Sequence, residues 1–162
     1  MGEKEQFLGV WEREFPTTVK VLKAYPTAKS DLKPHERSKT AKELAWNFVV
    51  EEAVIDMCLT KGAIDFQAIP APPATLADVI STYEESHAGM VAKVQKASDG
   101  DLNKTVKFFV APKQMGDVRI MDVLWLMLMD SVHHRGQFSV YLRMSGGKVP
   151  SIYGPTADEP WM

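Results

Sequence analysis

Apolar residues recur along this chain at three- and four-residue intervals in four long stretches, separated by segments rich in proline, glycine and small polar residues. At roughly 100° per residue that spacing is one face of an α-helix. The first stretch, 3–25, carries Phe7, Leu8, Trp11, Phe15, Val19 and Leu22. Pro16 predicts a kink or a restart inside it, and Pro26 ends it. The second, 40–59, opens on Thr40 followed by Glu43, the pattern of a capping box. Its inward stripe reads Leu44, Asn47, Phe48, Glu51, Ile55 and Leu59. The third, 75–97, starts at Thr75 with Asp78 in the first turn, and its inward residues run from Leu76 and Val79 through Tyr83 and His87 to Val94.

The fourth stretch, 117–147, organises the rest. Asp117 is its expected N-cap, and Gly146 with Gly147 its stop. Val123, Met127, Asp130, His134, Gln137 and Tyr141 share one face, while Leu124, Leu128 and Leu142 lie opposite. A helix apolar nearly all round sits inside a bundle or between subunits. The leucine face is therefore expected to pack on a second copy. Between the helices lie a polar loop at 26–39, a rigid proline-rich connector at 70–73 and a turn at 98–101. The segment 105–110 alternates well enough for a short extended segment or edge strand. The tail after 147 combines Pro150, Pro155 and Pro160 with Tyr153 and Trp161, which predicts an ordered, irregular segment docked on the surface. The pattern predicts an all-α fold, a four-helix bundle with long connecting loops, in one domain over 1–162.

Composition changes this picture little. A net charge of −2 offers no basic footprint, so no nucleic-acid partner is expected. No apolar run is long enough to span a bilayer, and the first residues lack a signal-peptide pattern, so no membrane association is expected. One cysteine, Cys58, excludes an internal disulfide and suits the reducing cytoplasm.

The candidate chemistry sits in the fourth helix. Asp130 and His134 are four residues apart, which places them on one helical face. Two readings fit that spacing: half of a divalent-metal site, or a carboxylate–imidazole pair that satisfies itself. Asn47 and Glu51 are likewise four apart inside an apolar stripe. They either bond each other at the edge of that face or join Asp130 and His134 in one polar centre. His87 reads as a core-edge histidine.

The run His133-His134-Arg135-Gly136-Gln137, followed by Tyr141-Leu142-Arg143, resembles the DinB-like (DNA-damage-inducible) family. So do the tail 147–155, Pro34-His35-Glu36, Glu43-Leu44-Ala45-Trp46 and Asp65-Phe66. The resemblance covers nearly the whole chain. It implies an up-down-down-up four-helix bundle and a homodimer. It also implies a divalent ion, nickel or zinc, held by three histidines, with thiol-dependent transferase or isomerase activity in some members. The second histidine of the late pair corresponds to His134, the first to Asp130, and the second-helix histidine to Asn47. His133 corresponds to a non-ligating neighbour. The expected metal residues are therefore Asn47, Asp130 and His134, with Glu51 one turn from Asn47 and Arg135 and Tyr141 behind the ligands. This harder donor set admits manganese, magnesium or calcium beside zinc and nickel. Two outcomes are expected to compete. One is an altered site that holds a divalent ion and serves a thiol transferase or small hydrolase, with a low-molecular-weight thiol as cosubstrate. The other is a non-catalytic homodimer with weak or absent metal, binding a small molecule in the inter-helix cleft or a protein partner.

Overall fold

The computed structural model describes residues 2–162. Four long helices form: α1 (Glu3–Lys23), α2 (Ala41–Thr60), α3 (Leu76–Lys96) and α5 (Ile120–Met144). Between the last two lie a one-turn helix α4 (Asp99–Leu102) and a hairpin of β1 (Thr105–Ala111) and β2 (Gln114–Arg119). α2 is opened by the reciprocal box, with the Glu43 N–H donating to Thr40 Oγ1 at 3.1 Å and the Thr40 N–H to Glu43 Oε2 at 2.7 Å. The Thr75 hydroxyl caps α3 in the same way from Asp78 N–H. α1 runs through Pro16 without restarting. Proline costs one backbone bond there, and both Pro16 and Glu12, whose carbonyl it frees, face solvent.

Helix α5 is capped at Arg119, two residues beyond the Asp117 that its pattern suggests. Asp117 is not its cap: it lies in β2, paired with Lys107 of β1 in register and by a 2.8 Å ion pair. The backbone of 114–119 is committed to the hairpin, so the helix starts where pairing ends, at Arg119. That guanidinium binds Glu3 and Asp122, tying the starts of α1 and α5 together. Val106 and Phe108 are the buried residues of β1. At the other end Gly146 takes φ +80°, a left-handed stop, and the Gly147 N–H donates to Leu142 O.

The contacts define the topology. Lys4 of α1 reaches Ala97 beyond the end of α3, so α1 and α3 are antiparallel neighbours. Lys93 of α3 pairs with Asp56 of α2, both near their helix ends, so those two run parallel. Tyr141 of α5 bonds Lys39 O just before α2, so α5 and α2 are antiparallel. This is the up-down-down-up four-helix bundle. Its core falls into two apolar clusters, one around Phe7, Trp11, Ile55, Leu124 and Leu128, the other around Leu22, Phe48, Val79, Phe138 and Leu142. Leu124, Leu128 and Leu142 are thus buried inside their own bundle and do not form an outward face. The outward side of α5 is instead Leu126, Met129, His133, Val140 and Met144. No helix among the described residues is long and apolar enough to cross a membrane.

The tail is tied down by ion pairs, Arg143–Asp158 and Lys20–Glu159. The rings of Tyr153 and Trp161 are largely exposed; only the Tyr153 hydroxyl reaches inward, to Glu14 and Arg135.

Candidate metal centre

A belt of buried polar groups separates the two apolar clusters at mid-bundle. α1 contributes Thr18, α2 Glu51 and Glu52, α3 His87, and α5 Ser131 and Arg135. Consecutive carboxylates point in different directions on a helix. Glu51 therefore faces α5 and Glu52 faces α3. Glu52 meets His87 Nδ1 at 2.6 Å and accepts from Ser86 at 2.8 Å, while the ring of Phe15 stacks on the imidazole at 3.6 Å. His87 is indeed a satisfied core histidine, and Glu52 is the partner that satisfies it.

Asn47, Asp130 and His134 come together at the cleft between α2 and α5, and Glu51 joins them. Asn47 Nδ2 lies 3.0 Å from His134 Nε2. His134 Nδ1 lies 2.6 Å from Glu51 Oε1 and 3.7 Å from Asp130 Oδ2. The Ser131 hydroxyl donates to the other Glu51 oxygen. The Lys39 ammonium donates to Asn47 Oδ1 at 2.6 Å. The donors order this chain. An ammonium has no acceptor, so Asn47 must turn its oxygen to Lys39 and its NH2 to the imidazole. Nε2 of His134 then accepts, and the ring proton sits on Nδ1, shared with Glu51. One donor atom from each of Glu51, Asp130 and His134 lies within 4.8 Å of the others, the separation of a metal-ligand trio. These three line a cavity of about 250 Å³ together with the apolar side chains of Phe66, Phe108, Phe109 and Met127. His133 points away, is exposed, and bonds Gln137 at 2.8 Å.

The burial of Glu51, 4% exposed, pushes its carboxyl up to about 7, with Asp130 adding to the rise and the bonds from His134 and Ser131 opposing it. Tyr83 is pushed well above its ordinary value by burial first, then by the Glu52 and Glu51 charges, and stays neutral. A raised carboxyl stabilises the fold most below its unfolded value near 4.5, and that contribution is lost as pH rises through 7. Metal-free protein is therefore expected to lose up to about 3 kcal/mol at this group between pH 5 and 8. Urea unfolding of chelated protein at the two pH values checks this, and Glu51→Gln should flatten the difference. An equal slope in that variant would remove Glu51 as its source.

The fold and the clustered acid–imidazole trio define a helical bundle with a candidate metal centre. The DinB family model matches residues 1–161, and the chain belongs to the DinB family. It is 27% identical over 159 residues to the uncharacterised protein YrdA of Bacillus subtilis, covering 96% of this chain and 90% of YrdA. Among solved structures, the DinB-like protein YjoA of B. subtilis superposes with a TM-score of 0.72 at 20% identity, over 91% of this chain and 97% of that one. YfiT of B. subtilis, described as a probable metal-dependent hydrolase with an unusual four-helix bundle topology, gives 0.68 at 13% identity, over 90% and 89%. The mycothiol-dependent maleylpyruvate isomerase gives 0.57 at 12% identity, over 92% of this chain and 65% of the isomerase. At these identities the structural likenesses establish the fold alone.

Proposed function

We propose that this chain is a divalent-metal-dependent enzyme acting on a small molecule in the cleft between α2 and α5, by hydrolysis or thiol transfer. The convergence of Glu51, Asp130 and His134 beside an aromatic-walled cavity carries the reading. Two carboxylates and one imidazole suit manganese, zinc or nickel. A cation beside Glu51 also offsets the cost of burying its charge. A bound ion supplies Lewis-acid polarisation to a water, thiol or carbonyl group. The chain's own residues position and protect. Asn47 fixes the His134 ring, and Ser131 holds the far oxygen of Glu51. Asp130 is half-buried, and among the described residues its one ionic contact, to His134, is long at 3.7 Å, so its carboxylate is free to turn toward an ion. Phe66, Phe108 and Phe109 keep the cavity apolar.

The description of YfiT supports hydrolysis. The mycothiol dependence of the isomerase supports a low-molecular-weight thiol as cosubstrate. The unpaired, buried Cys58 supports a cytoplasmic location. Metal-loaded protein assayed for ester hydrolysis and for thiol conjugation to an electrophile is expected to turn over in one of the two, and Asp130→Asn to lose that turnover. Activity indifferent to both chelation and Asp130→Asn would sink the proposal.

A second reading rests on its own observation: Asn47, His134, Glu51 and Ser131 already satisfy one another. A non-catalytic bundle with a decayed site would keep those bonds, and its melting temperature would ignore chelators.

The proposal includes a homodimer formed by the outward stripe of α5, where Leu126, Met129, Val140 and Met144 are each 45–58% exposed. The native chain should sediment as a dimer at micromolar concentration, and Met129→Lys with Val140→Lys as a monomer. A monomeric native chain would count against this interface.

A further inference from the structure

Lys39 stands at the junction of three cavities. It lines the 250 Å³ cavity of the metal centre, one of about 540 Å³ walled by Trp46, Phe66 and Ile69, and one of about 470 Å³ that includes His134 and Tyr141. Asn47 is the only other residue common to all three. The backbone at this point is held on two sides. Lys39 O accepts from the Tyr141 hydroxyl at 3.0 Å, and the next residue, Thr40, is the N-cap of α2. The side chain reaches from this fixed mount across to Asn47, and its ammonium forms part of the wall between the cavities.

That ammonium is poorly matched. Its partner is a neutral amide oxygen, and among the described residues no carboxylate lies within ion-pair distance of Lys39 or of Arg37, which lines the largest of the three cavities. The one acid on that wall, Glu43, spends its hydrogen bonds on the α2 capping box and meets the Lys39 charge only through space. A charge-assisted bond to a carboxylate is roughly twice as strong as one to a neutral acceptor. The cation would therefore leave Asn47 for an anionic group offered from the cleft.

We propose that Lys39 is a swinging anion anchor, and that the cleft takes a small organic monocarboxylate with an aromatic or aliphatic body. The carboxylate exchanges with Asn47 for the Lys39 ammonium, assisted by Arg37. The body lies against the apolar walls supplied by Trp46, Val50 and Phe66. A single negative charge suits the site better than a phosphate dianion, because Glu51 and Asp130 line the adjoining cavity, which shares Lys39, Asn47, Val50 and Phe66 with this one. This assignment rests on the cleft being the ligand site of the proposed enzyme, and it does not require the metal.

Phenylacetate and its neutral analogue phenylacetamide are the probes, titrated by calorimetry into native protein with and without added manganese. The native chain should prefer the acid. Lys39→Met should weaken phenylacetate by about tenfold or more and leave phenylacetamide within about twofold. Lys39→Arg should keep the preference. Lys39 is exposed, so these variants fold. The same titrations on Asp130→Asn separate the two ideas: a Lys39-dependent preference that survives there supports the anchor even where metal binding fails. Equal affinity for acid and amide, no saturation by either, or a preference unchanged in Lys39→Met overturns the anchor and leaves the metal reading standing.

Discussion

Arg135→Met is expected to destabilise the fold by about 3–5 kcal/mol, the largest effect of any single substitution proposed for this chain. Arg135 is 1% exposed at mid-bundle. Its guanidinium donates to Glu14 Oε2 at 2.6 Å, to Glu14 O and Thr18 Oγ1 at 3.2 Å each, and to the Tyr153 hydroxyl. One side chain thus joins α5 to α1 and to the C-terminal tail. Methionine fills much of the volume but leaves the Glu14 carboxylate half-buried beside α5 without its counter-charge. Removing one partner of a buried pair costs far more than the pair contributes net, because the survivor keeps its desolvation penalty. Glu14→Gln in the same chain should recover part of the loss. Arg143→Met is the contrast. Its pair with Asp158 is just as short, 2.5 Å, but Arg143 is half exposed, so solvent screens it and the cost should be far smaller than that of Arg135→Met. Urea midpoints of the four proteins measure all of this. A loss below 1 kcal/mol in Arg135→Met would mean that the polar belt is not organised by its arginine.

Asp130→Asn is expected to separate metal binding from folding. Asp130 keeps 42% of its side chain exposed, and its one ionic contact, to His134, is long at 3.7 Å. Losing its charge should change stability by less than about 0.5 kcal/mol. It should nevertheless reduce divalent-metal affinity on the order of a hundredfold or more, because a carboxylate ligand is replaced by a neutral amide. His134→Ala should lose the metal too, but at a cost in stability, since Glu51 then keeps only Ser131 as partner. Loss of one bond to a charged group is worth about 1.5–3 kcal/mol. Titration of both variants with manganese and zinc, beside their urea curves, checks the split. Metal affinity unchanged in Asp130→Asn would remove it from the ligand set.

Most of the bundle was legible in the sequence because it rests on local chemistry. The Thr40–Glu43 box, the Thr75 cap and the glycine stop at Gly146 act within a few residues, and each appears where the pattern places it. Asp117 carries a cap signal and a strand signal at once, and its pairing with Lys107 is a long-range choice that periodicity does not register. The leucine face of α5 was misassigned for a related reason. A helix buried on two sides reads as apolar all round, and nothing along the chain says whether a neighbour is another helix of the same bundle or a second copy.

The site was legible in its members and not in its wiring. Spacing brought Asp130 and His134 together, and Asn47 and Glu51 likewise. That Glu51 bonds the imidazole directly, while Asn47 serves Lys39 and Nε2, follows from the rotation of α2 against α5, which no spacing encodes. Glu52 was missed because it adjoins Glu51. Two consecutive acids in an apolar helix read as one polar edge, whereas here each is buried against a different neighbour. The signal for the second was His87, a histidine on the inward face of α3 that needed a partner.

Glu51, Asp130 and His134 are proposed to hold one divalent ion. Metal content by inductively coupled plasma mass spectrometry, on protein purified without a histidine tag or chelating resin, tests it most directly. About one equivalent of a single divalent metal per chain is expected, taken from the culture or on addition of manganese, zinc or nickel, and lost in Asp130→Asn. A native chain that carries no metal and takes up none of the three would contradict it.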